Sequence, residues 1–416
     1  MVQRLVRLGF ATGVLVLSVV SAVAQTPTEP VPAQEPPPHD HAAMLAAAAR
    51  QWQVMWDGVL FTTFNHQGGL RGGDQEFRAQ NWVMLMGSRS LGPGTITLSG
   101  MASLEPVTVG AAGYAHLFQL GETYQDLPVT DRQHPHDLFM QLDAAWRVPI
   151  GKTELSISGG PIGAPAFGPI AFPHRLSASE NPSAPLTHHT FDSTHVAMGT
   201  VTAGVRRGAV TLEGSAFRGR EPDEHRYDLE TGALDSRSAR VTWRPRSGLE
   251  FQVSRGYLHQ PELLEPGNQT RTNASMSWLH TRPDRAFTAI TVMAGRVTRT
   301  YSWSGAMLAE GIHWMGKQAV YARYENLAIE SEHLLFPQFV HPPHPGEFID
   351  TLQAITVGGV RRIAAGRGID LAVGGDATFY RVPARLQPTH GERPASAHIF
   401  LRIRPLRADG PVEHHH

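Results

Sequence analysis

The chain has 416 residues with a formal net charge of -1, which excludes the strong basic bias of a nucleic-acid binder. It contains no cysteine, so no disulfide framework supports it, and helix signals are scarce beside 41 glycines and 31 prolines. After the first two dozen residues, no stretch offers the roughly 18 apolar residues that a membrane-spanning helix requires.

Residues 1–24 read as a secretory signal peptide: Arg4 and Arg7 precede the apolar run 8–20, and Ala22-Val23-Ala24 is a small-x-small cleavage site. Residues 25–51 form a Pro- and Ala-rich segment expected in the periplasm, extended where Pro27, Pro30, Pro32 and Pro36 to Pro38 recur. It carries His39, Asp40, His41 and Met44, a donor set that suits copper.

From residue 52 to 405, runs of about ten residues alternate apolar and polar. The clearest is 95–104, with Ile96, Leu98, Ala102 and Leu104 on one face and Thr95, Thr97, Ser99 and Ser103 on the other. Period two is the signature of a strand. Strands are expected at 53–64, 77–89, 95–105, 137–149, 153–163, 194–206, 209–218 and 236–244. They continue at 249–259, 270–280, 286–298, 304–314, 318–330, 349–362, 369–381 and 395–404. Breaks between them alternate short and long, and sixteen is even, as an up-and-down barrel needs. The first, second, twelfth and fourteenth runs alternate poorly, so fourteen is the alternative count.

The fold class is therefore all-β: a transmembrane antiparallel up-and-down β-barrel of about sixteen strands, with short periplasmic turns, long outer loops and a tail at 406–416. One face would meet outer-membrane lipid through Ile96, Leu98, Trp146, Leu155, Ile157, Val210, Leu212, Val241, Trp243, Leu371, Val373, Ile399 and Leu401. The other would line a pore with Asp143, Arg147, Glu154, Glu213, Arg240, Arg244, Arg271, Arg323, Glu325, Asp370, Asp376, Arg402 and Arg404. So many charges are costly in a dry core, whereas a watered or hydrogen-bonded lumen accepts them.

Histidines sort almost entirely to the long-loop side. His134, His136 and Asp137 form one cluster; His188, His189, Asp192 and His195 form a second; His341 and His344 a third. Imidazole and carboxylate suit copper or zinc, so a divalent metal at the outer mouth is one reading. The other is loop packing against Asp131, Asp137 or Asp192. The Gly/Pro-rich loop 164–193, with Arg175 and Glu180, is expected either to narrow the pore or to lie over it as a lid. Ser183 near His188 and Ser193 near His195 sit in no nucleophile motif, which argues against a lipid hydrolase. The terminal His414 to His416 run is left out of these readings.

The segments Asp131-Arg132-Gln133-His134-Pro135-His136-Asp137-Leu138 and Asn181 to His189, with Asp192-Ser193-Thr194-His195, resemble a set of bacterial outer-membrane barrel proteins. Those proteins are porin-like, and some are associated with heavy-metal resistance. The resemblance spans the sixteen runs. It implies an outer-membrane address and a transport-type role with no assigned substrate; the charged lumen face and the sixteen strands point to a channel for small polar solutes or ions, with the outer-membrane assembly machinery as a partner. A His/Met-containing N-terminal segment ahead of a barrel is similar to copper-resistance outer-membrane proteins, although Met is sparser here than in their repeats.

Overall fold

The structure is a computed structural model that describes residues 51–72, 75–125, 127–263, 267–300, 302–339 and 348–406. The expected leader (1–24), nearly all of the 25–51 segment with His39, His41 and Met44, the cluster His341 and His344, and 407–416 lie outside the described residues.

Sixteen antiparallel strands close into a barrel. They are β1 (Gln53–Gln67), β2 (Gln75–Leu91), β3 (Gly94–Ala102), β4 (Phe139–Ile150), β5 (Thr153–Gly163), β6 (Ala197–Arg207), β7 (Val210–Phe217) and β8 (Ser236–Arg246). Then come β9 (Leu249–Leu258), β10 (Gln269–Thr281), β11 (Phe287–Thr298), β12 (Trp303–Met315), β13 (Gln318–Glu330), β14 (Ile349–Gly366), β15 (Ile369–Arg381) and β16 (Ala395–Pro405). Each pairs with its neighbours in sequence, and β1 meets β16 in the register Leu60↔Ile403 to Gln67↔Ser396. Closure removes the exposed edges that an open sheet of this size would carry.

Every expected strand is present, so the count of sixteen stands over fourteen. Two boundaries move for local reasons. β3 stops at Ala102 because Ser103 turns the chain: its hydroxyl donates to Asn81 O at 2.8 Å and accepts from Glu105 N at 3.0 Å, opening the short helix Glu105–Thr108. β6 starts at Ala197 because Ser193–His195 is a 3₁₀ turn. The short turns close one rim. Gly151 and Gly316, each followed by Lys, take φ of 60° and 57°, a left-handed conformation that two-residue hairpins require.

Outside, the strands present apolar side chains, including Leu85, Leu98, Ile157, Val201, Leu212, Val253, Val320, Ile355 and Ile399, all exposed. Exposed aromatics mark both ends of this band: Trp56, Trp146 and Trp243 toward the short turns, Phe77, Phe139, Trp303 and Phe379 toward the long loops. An apolar belt between aromatic girdles is what a lipid-facing barrel presents.

The interior departs from the expectation of a purely polar face. Phe61, Ala289, Ile312, Trp314, Tyr321 and Phe400 point inward and pack with Leu176 from a loop. Met84, Met101, Met140 and Met198 form another inner cluster with Ile162 and Val196. These apolar positions exist because something occupies the lumen and packs on them.

Candidate functional site: an inserted segment and a histidine cavity

The occupant is the chain between β5 and β6. Its prolines and glycines bar regular strand, and its backbone polar groups must then find partners elsewhere. They find them on the inner wall. Ala166 N donates to Ser215 Oγ on β7 (2.7 Å) and Gly168 N to Ser254 Oγ on β9 (2.9 Å). Gln80 Nε2 on β2 donates to Pro182 O (2.7 Å), Arg323 Nη1 on β13 to Ser183 O (2.9 Å), and Arg271 Nη1 on β10 to His189 O (2.7 Å). Contacts with walls on so many sides place the segment inside the barrel, so it is not a lid. Two inner glycines are seats for its aromatic rings. A Cβ on Gly256 would lie 3.0 Å from Phe167, and one on Gly295 would lie 2.8 Å from Phe191.

Charge pairs lock the segment. Arg175 donates from Nε to Glu310 (2.5 Å) and from Nη1 to Asp192 (3.0 Å), and Arg323 Nε reaches the other Glu310 oxygen at 3.0 Å. Glu180 meets Arg402 at 3.0 Å and Arg404 at 2.7 Å on β16. Thr187 donates from both N and Oγ1 to Glu325 at 3.0 Å. All of these charged groups except Arg404 are buried. Buried charges of both signs are tolerated in this way only when each is paired.

At the long-loop end of the segment, the two expected histidine clusters converge. His134, His136, His188, His189 and His195 line one pocket, with Glu122, Asp137, Glu221 and Arg226. The rings run in a chain: His136 to His195 at 5.6 Å between centroids, His195 to His188 at 5.3 Å, His188 to His189 at 5.5 Å and His189 to His134 at 5.8 Å. Phe172 closes one side, 5.3 Å from the His188 ring. His189 is wedged so tightly that a Cβ on Gly121 would fall 2.0 Å from its Nε2.

Each imidazole has an oxygen acceptor behind it. His136 Nδ1 lies 2.9 Å from Glu105, His188 Nδ1 2.7 Å from Asp192, and His195 Nδ1 2.8 Å from the Asp192 carbonyl. His134 Nε2 is 3.2 Å from Glu122, and His189 Nδ1 3.5 Å from Glu221. Burial pulls His195 down to about 3, with His188 and His136 adding to the effect. Burial likewise holds His134 well below its ordinary value and lowers His188, where Asp192 offsets part of the shift. Those three are neutral near pH 7, with lone pairs available. At His136, burial is outweighed by Glu105, and at His189 by Glu221, so both lie above the ordinary value.

The two expected aspartate ligands act differently from the imidazoles. Asp137 accepts from Arg226 Nη1 at 3.2 Å. Asp192 accepts from Arg175, from His188 and from Phe172 N (2.9 Å), so its oxygens orient other groups instead of facing the cavity as free donors. Neither serine is paired with an imidazole: Ser183 Oγ accepts from Arg78 and Ser193 Oγ from Arg271. The carboxylates Glu105, Glu122, Glu221 and Glu262 escape a sequence reading because they lie in three separate connections, those after β3, β7 and β9. Among the described residues, only His189, Glu221 and Glu262 have donor atoms all within 4.8 Å of one another. Arg271 already holds those two acids, at 3.7 and 2.5 Å.

The thirteen charges expected on the pore face separate into two groups. Arg271, Arg323, Glu325, Asp370, Asp376 and Arg402 are buried against the segment or one another. Asp143, Arg147, Glu154, Glu213, Arg240, Arg244 and Arg404 keep partial exposure. Most of the second group lies on β4, β5, β7 and β8, where Arg240 pairs with Glu213 (2.9 Å) and Arg206 with Glu154 (3.1 Å).

No protein-family model matches the chain, and no curated protein matches it. Solved structures share its fold. OmpF of Salmonella typhi, in complex with daunomycin, aligns with a TM-score of 0.50 at 7% identity over 84% of this chain and 97% of that one. OprB of Pseudomonas putida aligns with a TM-score of 0.50 at 10% identity, over 88% and 96%. At these identities, the likeness is one of fold: a sixteen-stranded barrel of the kind seen in outer-membrane porins.

Proposed function

We propose that the protein is an outer-membrane porin-like channel that passes small polar solutes or ions past a constriction made by residues 164–196. One observation carries this reading. The segment is held by polar side chains of β10 to β13 and β16 and touches β7, β8 and β9 only near Ala166 and Gly168, while the inner charges on β4, β5, β7 and β8 keep partial exposure. A route along that wall would be lined by both signs, through Asp143, Glu154 and Glu213 facing Arg147, Arg206, Arg240 and Arg244. The apolar belt and its aromatic girdles support the outer-membrane address, and the expected leader at 1–24 supports export. Unpaired Ser/His geometry favours transport over lipid hydrolysis.

Single-channel recording in planar bilayers tests the channel. The full chain is expected to give small, steady conductance, and a variant lacking residues 170–190 a several-fold larger one. Silence from both barrels, each shown to be folded, removes the channel reading. A second reading is favoured by the five-imidazole cavity: a metal-binding outer-membrane protein in copper or zinc tolerance. Growth of a deletion strain on graded copper and zinc tests it, with loss of tolerance expected.

A further inference from the structure

Five imidazoles from two connections line the cavity. Here, three of them share one arrangement. The Nδ1 atoms of His136, His188 and His195 each face an oxygen acceptor at 2.9, 2.7 and 2.8 Å, which fixes the tautomer with Nε2 as the lone-pair nitrogen. His195 is the middle ring, 5.6 Å from His136 and 5.3 Å from His188. Its Nε2 is buried and has no hydrogen-bond partner. A carboxylate or carbonyl behind the remote nitrogen is how proteins orient an imidazole toward a metal.

We propose that this cavity binds one divalent transition-metal ion through Nε2 of His195, His136 and His188. The class of ion follows from the donors. Imidazole nitrogens suit zinc, copper and nickel, while magnesium and calcium require oxygen. The His136, His188 and His195 donor atoms are spread wider than a coordination sphere, so the ion draws the rings inward. Two of the three sit on the inserted segment and one on the β3–β4 connection, so the ion ties the lumen occupant to a second loop. Asp192 links the site to the lock at Arg175, since it holds His188 from Oδ1 and Arg175 from Oδ2.

The proposal deepens the metal-binding reading, and the two fail separately, because tolerance is a growth phenotype and the site is measured in vitro. The test uses the full chain folded in detergent, carrying H39A, H41A, H414S, H415S and H416S so that neither tail binds metal. After chelation, calorimetric titration is expected to show one equivalent of Zn2+ or Cu2+ bound at micromolar concentration or tighter, and no response to Mg2+ or Ca2+. X-ray absorption of the zinc form should show imidazole nitrogens at about 2.0–2.1 Å. H195A should weaken binding at least 100-fold, and E105Q, which alters only the support behind His136, about 10-fold. His280→Ala, at the opposite rim, should change nothing. Lack of saturable binding by the parent chain overturns the proposal. So does a zinc spectrum without imidazole, or full affinity in H195A. Should H195A fail to fold, the absorption spectrum of the parent chain decides.

Discussion

Arg175 donates to Glu310 on the wall and to Asp192 within its own segment, and its side chain is 2% exposed. Three consequences meet in that guanidinium: the segment is held against β12, the Asp192 carboxylate is fixed, and His188 is aimed by Asp192. Replacing Arg175 with Ala leaves Glu310 facing Arg323 and leaves Asp192 short of a cation. Breaking a buried pair of this kind costs ~3–5 kcal/mol. The expected result is a lower temperature for loss of the compact barrel band on unheated gels, together with noisier conductance. Arg175→Lys keeps the charge but loses the fork that reaches both acids, so it should recover only part of the loss. Sequence reading marked Arg175 as a residue of a constricting loop and Asp192 as a metal ligand or packing partner of histidines. It did not pair them with Glu310, because that partner is 135 positions away.

At the scale of elements, the alternation of short and long connections was legible because it rests on local chemistry. Left-handed glycines make the turns, and a period of two makes the strands. The destination of 164–196 was not legible. A Gly/Pro-rich stretch excludes regular structure wherever it goes; only the matching wall selects the lumen. Gly256 and Gly295 are the clearest part of that match, since each replaces a side chain with room for an aromatic ring of the segment. Gly295→Val should push Phe191 from its seat, lower thermal stability and raise conductance. The same change at Gly100, whose Cβ position is open, should do little. Thermal scans and bilayer recordings on the two variants check this, and equal effects at both positions would remove the idea of a fitted seat.

For the whole molecule, the outer surface and the lumen respond to opposite substitutions. Val201 lies in mid-strand on β6, outward and 46% exposed. Arginine there would sit in hydrocarbon, at a cost of ~2–4 kcal/mol near the bilayer midplane. Val201→Arg should therefore reduce the yield of folded barrel in lipid vesicles. Arg240→Gln, on the inner wall beside Glu213 and 3.2 Å from the Gly168 carbonyl, should lower stability slightly and shift the preference between cations and anions, read as a change in reversal potential across a salt gradient.

The sequence alone determined the class of fold, a strand count of sixteen or fourteen, the rim that bears the long connections and the histidines gathered there. Each of these follows from neighbours in the chain: a two-residue period, a turn glycine, a His-Pro-His. The tertiary structure alone decided that one connection turns inward, that half of the inner charges are sealed against it, and that two distant histidine clusters form one cavity. Those outcomes depend on partners brought together by barrel closure, and a pattern with a period of two specifies which face a residue joins without specifying what meets it there.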